Sequence, residues 1–312
     1  MAVDKSTKTQ VVGRFAPSPT GPLHFGSLVA ALGSYLFARH DRSKLFLPVA
    51  DLDPPRVVSG SADEIRQLLE LCGFDWDGEI LYQSERFEYY RHLLLQLKRN
   101  NLVFDCSCSR RELIASAPHS GEDGPIYPGT CRQGAVGQRP ERAFRLRVPD
   151  EEIICQDLVF GPLRQNLQHE LGDFVLQRAD GLFAYQLAVV ADDIASGINQ
   201  VVRGADLLSS TPRQVYLYRC LQQPAPDYVH LPLALGDDAQ KLSKRHGKAA
   251  IITGKNYRSA LWNAFEFLGQ APPPELFGAD GAELLLWGRE NFSAAKIDRQ
   301  PRPAPDFDRL VR

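Results

Sequence analysis

The 312-residue chain has no run of about eighteen apolar residues, so no membrane-spanning helix is expected. Its start, "MAVDKSTKTQVVGRF", has no apolar core of the kind a secretory signal needs. Charge of one sign is also missing: 36 basic and 38 acidic residues leave a net of −2, so any nucleic-acid surface must be a local patch. Six cysteines are too sparse for a disulfide scaffold in a chain of this length. There is no internal repeat. These absences point to a reducing, cytoplasmic setting and a globular protein, expected to be a monomer with no membrane partner. With 44% hydrophobic residues it can bury a large core.

The pattern along the chain is that of an α/β fold. "QVVGRF" reads as a short buried strand. Leu28, Ala31, Leu32, Tyr35 and Leu36 then recur at helical spacing, and "KLFLPVADLD" reads as a second strand. "SADE" at 61–64 has the form of a capping box, with Ser61 as cap and Glu64 reaching back. Ile65, Leu68, Leu69 and Cys72 follow as a helical stripe that Gly73 can end. Ser84 is expected to open another helix, with Phe87, Tyr90, Leu94 and Leu97 on one side. Strands alternating with helices imply a parallel sheet with crossover helices.

Periodicity stops between about 105 and 140, in a Gly/Pro/Ser-rich stretch. Strands are expected near 143–149 and 153–160, and alternation resumes from 172 to about 235. "NYRSALWNAFEFLG" is helical, and the last 24 residues, broken by Pro301, Pro303 and Pro305, should be extended. The expected organisation is a nucleotide-binding catalytic domain in two parts, 10–104 and 141–250. An insertion, 105–140, separates them, and a short helical C-terminal region, 251–312, follows.

Two stretches carry chemistry. In "RFAPSPTGPLHFGSL" (14–28) a strand passes through a Pro/Gly loop into His24, Phe25 and Gly26 at a helix start. The amino end of a helix attracts anions, and Gly26 places no Cβ in the way of a nucleotide. "QKLSKRHGK" (240–248) concentrates Lys241, Lys244 and Arg245 with Ser243 and Gly247, cations suited to a leaving pyrophosphate. Each alone has an ordinary reading, as a structural histidine or a solvated basic turn.

Together they resemble the two signatures of the class I aminoacyl-tRNA synthetases, and "RFAPSPTGPLHFGSL" resembles the glutamyl/glutaminyl branch. The likeness spans roughly residues 10–250 and includes "DLDPPR" (51–56) and "FAYQLAVVADDIASGINQVVRGADLL" (183–208). Only 67 residues follow "KLSKR", fewer than an anticodon-binding domain needs. A synthetase of this shape resembles the queuosine-modifying branch. That resemblance implies a class I Rossmann-like sheet and an enzyme that activates L-glutamate with ATP and Mg²⁺ without tRNA. It would then esterify the queuosine base of tRNA(Asp), with the anticodon stem-loop as partner. Charging of a tRNA 3′ end, a non-catalytic RNA-binding role and a cytidylyltransferase-like activity are the rivals.

The resemblance places catalysis on His24, Lys241 and Lys244, and ATP on His24, Gly26, Ser27 and Lys244. Ser27 stands where the family signature has a second histidine. Glutamate falls to Arg14, Phe15, Ala16, Pro17, Ser18, Tyr185 and Arg203. Guanidinium groups suit a substrate carboxylate through paired, charge-assisted hydrogen bonds. The family pattern also has a glutamate for the substrate ammonium where this chain has Ala50. Strand alternation puts Asp51 and Asp53 on the opposite face. Cys106, Cys108 and Cys131 offer three thiolates for one structural Zn²⁺. Family resemblance makes Tyr127 the fourth ligand, and His119 is the chemically ordinary alternative.

Overall fold

The structure is a computed structural model that describes residues 10–116, 120–121, 124–134, 140, 142–236, 238–242 and 251–305. The strand Val12–Arg14 runs parallel to Lys44–Phe46, and the helix Phe25–His40 connects them. Eleven of that helix's sixteen residues are buried, so it is covered on more than one side. The sheet takes one side, where Gly33 admits Leu231; a Cβ at Gly33 would lie 2.4 Å from the leucine Cδ1. The helices Tyr257–Phe267 and Gly281–Asn291 take the outer side, with Phe25 and Phe267 meeting edge to face at 5.6 Å. Leu28, Leu32 and Leu36 are fully buried between these layers, each contributing about 1.5–3 kcal/mol relative to exposure.

A second parallel pair, Gln200–Gly204 and Asp227–Leu231, is joined by the helix Thr211–Cys220. Asp227–Leu231 continues onto the hairpin of Glu152–Asp157 and Gly161–Asn166. The two parallel pairs meet where Asn199 donates its N–H to the Val12 carbonyl at 3.0 Å and accepts the Val12 N–H on Oδ1 at 2.7 Å. Arg14 and Arg203 therefore sit near the carboxyl ends of adjoining strands, the place where open α/β sheets bind ligands. A separate antiparallel sheet, Val175–Gln177, Ala143–Leu146 and Val103–Cys106, leads into the cysteine-bearing segment.

Four local expectations need correcting. "KLFLPVADLD" is two short strands, Lys44–Phe46 and Pro48–Val49, rather than one. "SADE" forms no capping box, because Gly60, at φ +80°, precedes the helix and Ser61 is its first residue. The Ser61 hydroxyl instead donates to the Gly21 carbonyl at 2.7 Å and accepts the Gly21 N–H at 3.0 Å, bracing the loop before His24. Ser84 does not start the next helix, which runs Phe87–Arg99; its N–H and hydroxyl both bind the Asp51 carboxylate. The last 24 residues, expected to be extended, are so only in part. Arg289–Asn291 end the helix Gly281–Asn291, Ala294–Lys296 form a 3-10 turn, and Arg302–Pro303 adds a strand beside Ala234–Leu235, while 306–312 lie outside the described residues.

Candidate active site

A cavity of about 490 Å³ opens at the carboxyl ends of the parallel strands. It is lined by Arg14, Phe15, Ala16, Pro17, Ser18, Ala50, Tyr185 and Arg203, and also by His24, Gly26, Ser27 and Lys241. Every described residue that the sequence assigns to glutamate, ATP or catalysis is therefore on one wall or another. Ser243, Lys244, Arg245 and Gly247 lie outside the described residues, but the residues on either side of 243–250 are fixed at this cavity. Leu242 donates its N–H to Ala234 at 2.7 Å, Ile252 donates to the Leu23 carbonyl at 2.9 Å, and Ile251 bridges to His24.

His24 is the N-cap of the first helix. Its Nδ1 accepts the Ser27 N–H at 3.3 Å, and its Nε2 lies 3.1 Å from the Ser27 hydroxyl. Gly26 matters to this arrangement, since a Cβ there would press on the imidazole at 3.3 Å. The positive end of the helix thus faces the cavity, with His24 and Ser27 tied together. Lys241 reaches into the same space and is ion-paired to the Asp206 carboxylate.

The arginines are held differently. Arg14 is buried, and its Nε donates to Asp193 Oδ1 at 3.0 Å. Its Nη groups have no partner among the described residues, which leaves a fork available for a carboxylate. Burial opposes the Arg14 charge, but Asp193 outweighs it and holds the guanidinium above its ordinary pKa. Arg203 is locked by protein groups. Its Nε donates to His230 Nε2 at 3.0 Å, while its Nη groups reach Tyr185 Oη, Gln214 Oε1, the Leu207 carbonyl and Thr211 Oγ1. His230 Nδ1 is 2.7 Å from Asp157 Oδ2, which also accepts the His230 main-chain N–H. Burial pushes the His230 pKa below its ordinary value, so the ring is neutral: Nδ1 carries the proton and Nε2 accepts from Arg203.

Sequence reading missed Asp193, Asp157, His230, Asp206, Arg56 and Gln83. The pair Asp192–Asp193 inside an apolar helix was a visible signal, because buried acids need partners. His230 carried none. Ala50 lines the cavity as expected, whereas Asp51 holds Ser84 and Asp53 pairs with Arg178 at 3.5 Å.

A second cluster lies apart from the cavity. The Sγ atoms of Cys106, Cys108 and Cys131 all fall within 4.8 Å of one another, and those of Cys108 and Cys131 are 3.6 Å apart. Three thiolates around zinc, each about 2.3 Å from the metal, stand close to this spacing. Tyr127 Oη lies 3.5 Å from Cys106 Sγ and accepts the Cys131 N–H at 2.8 Å, so it can complete a tetrahedron. The donor set fits zinc. His119 lies outside the described residues. Burial and the neighbouring thiols push Cys108 up to about 12, a value that a bound cation would reverse.

Residues 10–277 match the family of class I tRNA synthetases (E and Q), catalytic domain. A curated glutamyl-Q tRNA(Asp) synthetase of Geobacter sulfurreducens is 48% identical over 97% of this chain and 98% of its own length. One of Dechloromonas aromatica is 50% identical over 92% of this chain and 96% of its own. The solved glutamate tRNA ligase of Elizabethkingia meningosepticum, in complex with its amino acid, superposes with a TM-score of 0.80 at 25% identity. The match covers 95% of this chain and 67% of the ligase. The parallel sheet, the helix start at His24 and the near full-length likeness agree: the chain belongs to the glutamyl-Q tRNA(Asp) synthetases, within the class I family specific for glutamate and glutamine.

Proposed function

We infer that the protein activates glutamate with ATP, without tRNA, and transfers it to the queuosine base in the anticodon of tRNA(Asp). The observation that supports this most directly is that one cavity has an arginine fork at one wall and the helix start at His24 at another. Arg14, with Arg203 behind Tyr185, receives a glutamate carboxylate, and Phe15 to Ser18 shape the floor beside it. The amino end of the helix, with His24 and Ser27, receives the ATP phosphates.

One glutamate carboxylate oxygen attacks the α-phosphorus, and the bond to the β-phosphate oxygen breaks, releasing pyrophosphate. Lys241 and Lys244 offset charge on the leaving group, and ATP brings Mg²⁺ with it. A hydroxyl of the acceptor base then attacks the acyl carbon, forming an ester, and AMP departs. Positioning carries much of the rate, because reactants are held in reacting geometry. Cys106, Cys108, Tyr127 and Cys131 would hold a zinc ion that orders the 105–140 segment. The chain acts as a cytoplasmic monomer that receives an anticodon stem-loop in its cavity mouth.

Lys244→Ala is expected to lower glutamate-dependent ATP–pyrophosphate exchange about 10²-fold, the scale of one electrostatic catalytic group. Near-normal exchange would remove Lys244 from the site. Radiolabelled glutamate should pass to tRNA from queuosine-containing cells and not to tRNA from cells without it. Equal labelling of both pools, or labelling of tRNA(Glu) that periodate treatment of the 3′ end abolishes, would establish ordinary charging instead.

A further inference from the structure

An amino acid brings an ammonium group as well as carboxylates, and this cavity is poorly supplied to receive one. Arg14, Arg56, Arg203 and Lys241 all line it, whereas Asp206 is the only lining acid among the described residues and is already paired to Lys241. A hydrogen-bond acceptor for the ammonium must come from elsewhere on the wall.

Among the described residues that line the cavity, one buried acceptor lacks a partner. Gln83 is 4% exposed and lines the cavity, and among the described residues its Oε1 accepts no hydrogen bond. The orientation of the amide is fixed by its other end: Nε2 donates to Asp192 Oδ2 at 2.7 Å. Asp192 accepts further from Arg86 Nε at 2.7 Å and from Tyr90 Oη at 2.8 Å, so it takes protons on every side and calls for nitrogen, not oxygen, from Gln83. Oε1 is therefore the atom left over. An acceptor buried without a partner costs about as much as a lost hydrogen bond, so such atoms in native sites call for an explanation.

The strand register gives its place. Pro48 pairs with Leu81 and Val49 with Tyr82 in a parallel ladder, so the next residues along, Ala50 and Gln83, leave the two strands side by side. Both line the cavity.

We propose that Gln83 Oε1 accepts a hydrogen bond from the substrate ammonium, with the Asp192–Arg86–Tyr90 cluster holding the amide in that orientation. The proposal rests on glutamate being the substrate. Glutarate carries both carboxylates and no ammonium, so it separates the two claims. Calorimetric titration of the full chain is expected to show Gln83→Met weakening glutamate about tenfold or more, with glutarate unchanged, the scale of a hydrogen bond to a charged group. Ala50→Glu, which leaves Gln83 and its Asp192 bond intact, should tighten glutamate and leave glutarate no tighter. Equal losses for both ligands in Gln83→Met would reduce Gln83 to a structural support of Asp192 and overturn the proposal. An unchanged preference for glutamate over glutarate in Ala50→Glu would put the ammonium elsewhere and overturn it as well. Wild-type protein that binds glutarate as tightly as glutamate would remove the ammonium contact altogether. Wild-type protein that binds neither would instead overturn the choice of substrate.

Discussion

His230 shows how a single buried side chain can set the geometry of a binding group it does not replace. Its neutral ring stands between an acid and a guanidinium, donating to Asp157 and accepting from Arg203. Protonation would put a second N–H against the Arg203 Nε and break that contact. The folded-state pKa is lowered by burial from the ordinary 6.5, so between the two values the unfolded chain holds more protons than the folded one. Stability from this group is complete above the ordinary value, and it is lost as pH falls through and below it. His230→Leu is expected to flatten that part of the stability–pH curve and to cost about 1–3 kcal/mol by stranding a buried donor. The same variant should raise the KM for glutamate more than it lowers kcat. Urea titrations across the acid range check the first claim, and an unaltered slope in the variant would remove His230 as its source. Little of this was visible beforehand. Arg203 was legible from its motif, but Asp157 and His230 are 73 positions apart and meet only when the sheet forms.

At the scale of elements, the cysteine segment has a seat as well as a metal set. Gly172 adopts φ +72°, and a Cβ there would come within 2.4 Å of the Tyr127 carbonyl oxygen. Arg145 stacks over the Tyr127 ring, 4.0 Å from its centroid, so the phenol is held from above and behind. Purified protein is expected to carry about one zinc per chain. Tyr127→Phe should release it more readily than His119→Ala does, and Gly172→Ala should loosen it without touching a ligand. Metal analysis during chelator titration reads all three, and the reverse order of the first two would transfer the fourth position to His119. The cysteine spacing was legible because thiols cluster in sequence. The glycine seat was not, since it lies on another element. The "SADE" stretch failed for a related reason: a cap pattern is local, but Ser61 spends its hydroxyl on Gly21, 40 residues away. Periodic helices such as Phe25–His40 were read well, because the apolar residues at helical spacing are the ones that the sheet and the outer helices bury.

Over the whole molecule, the cavity depends on segments made at opposite ends of the chain. Arg302 donates its N–H to Leu233 at 3.0 Å and Ala304 donates to Leu235 at 2.8 Å. This pairing stiffens Ala234–Leu235, which in turn bridges to Lys241 and accepts the Leu242 N–H. Ala304→Pro removes one donor. It is expected to raise the KM for ATP several-fold while glutamate affinity stays within about twofold, because Arg14 and Arg203 lie on other strands. An unchanged KM for ATP would show that the loop root holds without the tail.

That tail strand also bears on the protein's manufacture. A message cut short between the codons for Ile297 and Arg302 would still encode both signatures, both arginines, the cysteine segment and the two helices that cover Phe25–His40. Its product would look complete by every motif and yet lack the brace beside Lys241 and Leu242. Such a fragment is expected to keep its arginines in place and to lose ATP affinity, so a screen by glutamate binding alone would pass a protein that a screen by ATP–pyrophosphate exchange rejects.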